Sequence, residues 1–349
     1  MVEAVVVDDS QFMRVQIAEV LKDGGITVVG DAANGKEAID AVEQHDPDVV
    51  TMDVKMPGMD GIEAVERIME TRPTPILMLS RYTEEGADTT FEALDAGAVD
   101  FFRKPGGEVS TSLVQFADDL VEAVSLVATA DVSPVSPAGT GAIETVTTPQ
   151  ETPTRPPTIL IAASTGGPPE VQSLLAALPG TLNARVLVVQ HMPTDFTDRF
   201  ADRLDSVCEL DVREAERAGR VGPGEAIIAK GGSHLVPRED DGVEISYRLT
   251  DDEPVHNVRP AADVTFEAGA AVCTEPLVAV VLSGMGYDGA AGAEHVAEAG
   301  GTVLAQEPSE ASIGAMPEHT IETGVVDGVF RTSKMTDEIV SAVTDETGE

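Results

Sequence analysis

Cysteine, basic residues and long apolar runs are all scarce in this chain of 349 residues, and each scarcity closes off a class of function. The two cysteines, Cys208 and Cys273, stand in no CxxC spacing, so neither a disulfide framework nor a thiolate metal site is expected, and both read as small core residues. Lys plus Arg number 22 against 62 Asp plus Glu, a formal net charge of −40. No basic stretch offers a phosphate-binding stripe, which argues against nucleic acid as a partner, because that affinity comes mainly from cationic contacts to phosphate. No window approaches the roughly 18 consecutive apolar residues of a membrane span. The opening MVEAVVVDDS lacks a basic n-region and a long enough apolar run for a signal peptide. The expectation is a cytoplasmic protein with no membrane insertion. Its acid is spread over both halves, a surface suited to concentrated salt, where the Debye length shrinks to about 3 Å at 1 M. Fold and activity are therefore expected to need molar salt.

What is present is a chain too long for one ordinary core, with 42% hydrophobic residues, consistent with two or three globular domains. Up to about residue 128, the runs AVVVDD, ITVVGDAA, PDVVTMD, TPILMLS and AVDFFRKP read as buried strands alternating with helical stretches. That alternation predicts a doubly wound parallel α/β sheet. Residues 129–157 are rich in Pro, Thr and Ser and read as a linker with a root-mean-square span of about 30 Å. From 158 to 345 the alternation resumes in TILIAAS, RVLVVQH, EAIIAK, PLVAVVLS and GTVLAQ, predicting a second α/β domain. No internal repeat relates the halves.

Ligands of open parallel sheets bind at the carboxyl ends of the strands. In the first domain those ends carry Asp8, Asp9, Asp53, Ser80 and Lys104. Converging carboxylates repel unless a hard cation sits among them, and Mg²⁺ favours carboxylate oxygen. One carboxylate could then attack a phosphoryl group while the lysine and hydroxyl hold its oxygens. Taken singly, Asp8–Asp9 could be a loop cap and Lys104 a solvated lysine. VVVDDSQFMR, DVVTMDVKMPGMDG, ILMLS and DAGAVDFFRKP closely resemble response-regulator receiver domains, which are flavodoxin-like (CheY-like). The resemblance implies Asp53 as phosphoacceptor and Asp8, Asp9, Asp53 and the Lys55 carbonyl as the Mg²⁺ site. It further implies Ser80 and Lys104 as phosphoryl ligands, Phe101 as an aromatic switch, and a histidine kinase (CheA) as phosphodonor.

In the second domain the same test finds Ser164 after ILIAA, His191 after VLVVQ and Asp288 in the turn after VAVVL. A serine needs a base, an imidazole suits neutral pH, and a carboxylate fixes the imidazole tautomer. Gly166 and Gly167 permit close backbone approach, and amides at the following helix start could stabilise an oxyanion. Each residue also has a plain alternative: Ser164 or Thr165 as cap of a helix over 169–178, Asp288 as cap of the next helix, His191 as a structural histidine. His234, His256, His295 and His319 show no comparable pairing, although His234 could line a pocket. The order Ser–His–Asp, with Ala162 at the elbow position, disfavours the lipase-type hydrolase.

AASTGGP, VVQHMP, GGSHL, RPAADVTF and LSGMGYDGA resemble the chemotaxis protein-glutamate methylesterases, in the same order and behind a receiver and linker as in that family. The resemblance implies a Ser164–His191–Asp288 triad, Thr165 and Met285 at the oxyanion site, and no cofactor for the esterase. It implies hydrolysis of glutamate γ-methyl esters on methyl-accepting chemoreceptors and deamidation of receptor glutamines. Control is expected through a receiver that covers the esterase cleft until Asp53 is phosphorylated. Two departures stand out: Ala162 in place of the usual glycine, and Lys230 where proline is expected.

Overall fold

The computed structural model describes residues 1–80, 84–104, 112–132, 155–274 and 276–344. The linker expected over 129–157 lies outside the described residues from 133 to 154, as does residue 345. The chain divides into two units, residues 1–142 and 143–349.

In the first unit all five expected strands form: β1 (Glu3–Val7), β2 (Thr27–Ala32), β3 (Val49–Asp53), β4 (Ile76–Ser80) and β5 (Asp100–Arg103). Between and after them run α1 (Gln11–Asp23), α2 (Gly35–His45), α3 (Gly61–Thr71), α4 (Glu84–Asp95) and α5 (Ser112–Val127). The strands are parallel in the order β2-β1-β3-β4-β5, the flavodoxin-like winding. Residues 4–7 and 49–53 are buried, as continuous apolar runs covered on both faces must be. Side chains of Ser10, Asn34 and Asp60 accept from Met13, Glu37 and Glu63 amides at the starts of α1, α2 and α3. Ser10 caps α1, and Asp8 Oδ1 accepts from the Ser10 amide at 2.9 Å in the loop before it.

The second unit carries β6 (Thr158–Ala163), β7 (Arg185–Gln190), β8 (Asp211–Glu214), β9 (Ala218–Val221), β10 (Glu225–Ile228), β11 (His234–Asp240), β12 (Ile245–Thr250), β13 (Leu277–Val281), β14 (Thr302–Gln306) and β15 (Gly328–Phe330). Its helices are α6 (Gly167–Ala177), α7 (Thr194–Val207), α8 (Ala262–Val272), α9 (Ala290–Glu298), α10 (Ala315–Glu322) and α11 (Thr332–Thr344). Seven strands form a parallel sheet in the order β15-β14-β13-β6-β7-β10-β8. After β6 the chain winds outward through β7, then returns to β13 and winds the other way. The boundary between β6 and β13 is thus the topological switch point, where the loops diverge and leave a crevice. The antiparallel sheet β11-β12-β9 was not expected from sequence. Its strands are interspersed with charge, as in HLVPRED and ISYRLT, so no buried run marks them.

At the amino end of the large sheet, Arg185 and Asp240 form a fully buried ion pair, Nη1 to Oδ1 at 2.7 Å. Arg185 also donates to the Thr158 hydroxyl at 2.7 Å. Burial raises the Asp240 carboxyl, but the Arg185 bond and the Thr274 and Gly242 amides outweigh it and bring the pKa down to about 2. A carboxyl depressed in this way contributes stability above its ordinary value of 3.8, and that contribution is lost as pH falls toward 2. Arg185→Met strands Asp240 without its counter-charge and is expected to lower stability by about 3–5 kcal/mol. Urea titration followed by circular dichroism measures this, and a change under about 1 kcal/mol would show the pair to be nearly neutral.

Candidate active site

Ser164 and His191 are the first residues beyond β6 and β7, whose register pairs Ala163 with Gln190. The next register position places them side by side on one face at the carboxyl edge, and the His191 amide donates to Ala163 O at 2.9 Å. Asp288 arrives from the turn after β13, on the other side of β6. Its Oδ2 lies 2.7 Å from His191 Nε2, and its side chain is almost wholly buried. Burial alone would raise the Asp288 carboxyl. The His191 hydrogen bond and charge and the Asp263 and Ala262 amides prevail and hold it below the usual carboxylate range. An ionised Asp288 accepts the Nε2–H, which leaves Nδ1 of a neutral imidazole with its lone pair free.

The Ser164 hydroxyl has no hydrogen-bond partner among the described residues, so Ser164 is placed beside His191 without being bonded to it. It does not cap α6 either. That helix begins at Gly167, two residues before the expected start, and its N-cap is Gly166 at φ 72°, with no side-chain cap. Thr165 is likewise no cap. Gly166 is required there because φ is positive and a Cβ would come within 2.5 Å of Ser312 Cβ.

Asp288 does not cap α9, the helix that follows it, whose N-cap is Gly289. It accepts instead from the Ala262 and Asp263 amides, at 2.6 and 2.9 Å, in the first turn of α8. Asp263 returns the bond: its Oδ1 accepts from Gly289 N at 2.9 Å and Gly292 N at 2.7 Å, at the start of α9. Two helix starts, each rich in unpaired N–H, are thus closed by a carboxylate from the other's segment.

In the first unit Asp8, Asp9 and Asp53 offer carboxylate oxygens that all lie within 4.8 Å of one another. Lys104 Nζ reaches Asp8 Oδ2 at 2.6 Å and Asp53 Oδ1 at 2.8 Å and is 3% exposed, which rules out a solvated lysine. Burial, with some contribution from Asp8, raises the Asp53 carboxyl against the pull of Lys104. An all-oxygen donor set short of positive charge fits a hard divalent cation. The Ser80 hydroxyl, fully buried, accepts from Thr90 at 3.0 Å. The Phe101 ring is half-buried, edge-on to Phe91 at 6.3 Å between centroids.

A family model described as CheB methylesterase matches residues 159–339, and one described as response regulator receiver domain matches residues 4–129. The chain belongs to the CheB methylesterase family. A protein-glutamate methylesterase/protein-glutamine glutaminase of Natronomonas pharaonis is 51% identical over 355 residues, 98% of each chain. The Halobacterium salinarum (strain R1) protein of that name is 48% identical over 351 residues, 98% of this chain and 99% of its own. The crystal structure of the Thermotoga maritima CheB methylesterase catalytic domain is similar with a TM-score of 0.52 at 38% identity, covering 54% of this chain and 99% of that one. Halophilic archaeal relatives agree with the acid-rich composition. Among the described residues no helix is long and apolar enough to cross a membrane.

Within this CheB methylesterase domain several residues act that sequence reasoning passed over. His256 shows no comparable pairing in the sequence, and in the structure its Nε2 lies 2.8 Å from Asp263 Oδ2. It sits in a tight turn at φ 53°, next to Asn257 at φ 62°, and such geometry leaves no periodic signature. His295 meets Glu298 only at 3.8 Å on the surface. His234 is buried and bonded, Nδ1 accepting from Ala261 N at 3.1 Å and Nε2 facing Glu253 O at 3.1 Å. His319 Nδ1 donates to Ala315 O at 2.7 Å in its own helix. Lys230, out of place by resemblance, pairs with Glu214 at 2.6 Å. Ala162 is fully buried in the central strand.

Proposed function

We propose that this chain is a serine hydrolase that removes glutamate γ-methyl esters from methyl-accepting chemoreceptors and deamidates receptor glutamines, under control of Asp53 phosphorylation by a histidine kinase of the CheA type. The observation that carries the chemistry is the His191–Asp288 pair at 2.7 Å beside Ser164, at the switch point of the sheet. The receiver unit and the relatives' names, protein-glutamate methylesterase/protein-glutamine glutaminase, carry the control and the substrate class.

Ser164 Oγ attacks the ester carbonyl carbon as His191 Nδ1 takes its proton. The carbonyl oxygen becomes an oxyanion facing the Thr165 and Met285 amides, neither of which has an acceptor among the described residues. Collapse breaks the C–OCH₃ bond, and the proton on His191 leaves with methanol. Water then attacks the acyl-serine with His191 again as base, the acyl–Oγ bond breaks as His191 passes that proton to Ser164 Oγ, and the freed glutamic acid ionises to its carboxylate. A glutamine side chain follows the same steps with ammonia as leaving group. Asp288 stays ionised throughout and stabilises the imidazolium.

In the receiver, Asp8, Asp9, Asp53 and the Lys55 carbonyl would hold Mg²⁺, which when bound offsets the charge of phosphoryl oxygens. Asp53 is the phosphoacceptor, Lys104 and Ser80 hold the transferred group, and Phe101 is the switch residue that responds. Methanol release from methylated chemoreceptor, assayed in molar KCl with and without acetyl phosphate, tests the coupling. The phosphodonor is expected to raise the rate several-fold, and Asp53→Asn to remove that rise while sparing the basal rate. Equal rates with and without phosphodonor would sink the regulatory reading.

A further inference from the structure

The backbone around Ser164 is held at nearly every polar atom, and two side chains outside the triad do much of the holding. Ser164 N–H donates to Ser283 O at 2.9 Å, and Ser164 O accepts from Gly167 N at 2.8 Å. Gln190 Nε2 adds a second donor to Ser164 O at 2.7 Å and reaches His191 O at 3.2 Å. The Ser283 hydroxyl donates to Thr165 O at 2.8 Å and accepts from Ile313 N at 3.0 Å. Ile313 O in turn accepts from Gly284 N at 2.9 Å, and Met316 N donates to Gly284 O at 2.9 Å. Most of these bonds end on peptides that carry or flank Thr165 N–H and Met285 N–H, and neither of those two donors has an acceptor among the described residues.

We propose that Ser283 and Gln190 are positioning residues: Ser283 ties the Thr165 and Met285 turns to each other, Gln190 ties the Ser164 turn to His191, and together they aim the two open amides at one point. The inference rests on Ser164 being the nucleophile. Ser283 is anchored from behind, its N–H donating to Gln306 Oε1 at 2.7 Å while Gln306 Nε2 donates to Thr332 at 2.9 Å. It therefore cannot shift without pulling on β14 and α11.

Gln190 supplies the sharper argument. It is 1% exposed, and its Oε1 has no hydrogen-bond partner. A buried acceptor left unsatisfied is destabilising, so packing alone would favour an apolar side chain of the same shape. Gly167 accommodates the carboxamide, since a Cβ there would stand 2.6 Å from Oε1. What an apolar replacement cannot supply is the pair of N–H bonds to the carbonyls of Ser164 and His191.

Gln190→Met keeps the volume, removes the orphaned oxygen and removes both donors. Ser283→Ala removes the bond to Thr165. Each variant is expected to lower kcat for methyl-ester hydrolysis by about tenfold or more, a misaimed donor approaching the loss of one. KM should stay within about twofold, because substrate binding precedes the charge that the amides meet. A short alkylboronic acid, which adds to the Ser164 oxygen and becomes a tetrahedral anion, should lose affinity by the same factor as kcat. The melting temperature of Gln190→Met should hold or rise. Unchanged kcat and boronate affinity in both variants would overturn the proposal, as would parallel losses of kcat and melting temperature with boronate affinity intact. If wild type released no methanol, the activity reading would fail, and the boronate comparison would still decide the positioning.

Discussion

Ser164→Ala is expected to reduce methanol release from methylated chemoreceptor by on the order of 10⁵-fold, since removing a triad nucleophile forfeits the covalent route and leaves only binding and oxyanion stabilisation. The same variant should melt within about a degree of wild type. The hydroxyl bonds nothing among the described residues and caps no helix, so its removal disturbs little besides chemistry. A rate within tenfold of wild type would mean that another group attacks the ester. A melting temperature lower by several degrees would return the hydroxyl to a structural role.

Asp288→Asn should behave differently, failing in rate and stability together. Its carboxylate holds the His191 tautomer that frees Nδ1, and an asparagine in the equivalent place of a serine protease triad costs about 10⁴ in kcat. A comparable loss is expected here. Asp288 also accepts the Ala262 and Asp263 amides. An asparagine turns an NH₂ toward at least one of these donors, a mismatch worth about 1–3 kcal/mol. Thermal melting and methanol release on the same preparation separate the two effects. Near-normal turnover with lowered melting would leave Asp288 a helix clamp only. Because its carboxyl lies below the usual range, the wild-type pair should survive mild acid and fail only as pH falls through that depressed value.

Much of this site could be read before any coordinates, for a physical reason. A parallel strand buried on both faces must be an unbroken apolar run, and it must end where a polar residue can meet solvent or ligand. ILIAAS, VLVVQH and VVTMD each announce a strand and a candidate site residue in one phrase. Adjacent ends then bring Ser164 to His191, and Lys104 to Asp8 and Asp53. The half-exposed antiparallel strands carried no such run and went unread. Side chains that act through backbone carbonyls were equally silent. Gln190 stands inside the motif VVQHMP and Ser283 inside LSGMGYDG, yet a carboxamide or hydroxyl shows its partner only once the turns are folded. The His256–Asp263 pair depended on consecutive left-handed residues, which no pattern of hydrophobicity encodes.

Reciprocal closure of α8 and α9 by Asp288 and Asp263 has a consequence for descent. A duplicated copy relieved of hydrolysis could shed its serine hydroxyl or its imidazole at little harm to folding. It could not shed the acid so cheaply, because the first turn of α8 leans on that one residue. Degenerate copies should therefore go on displaying the aspartate long after turnover has ceased, and its presence alone is poor testimony that a copy still works.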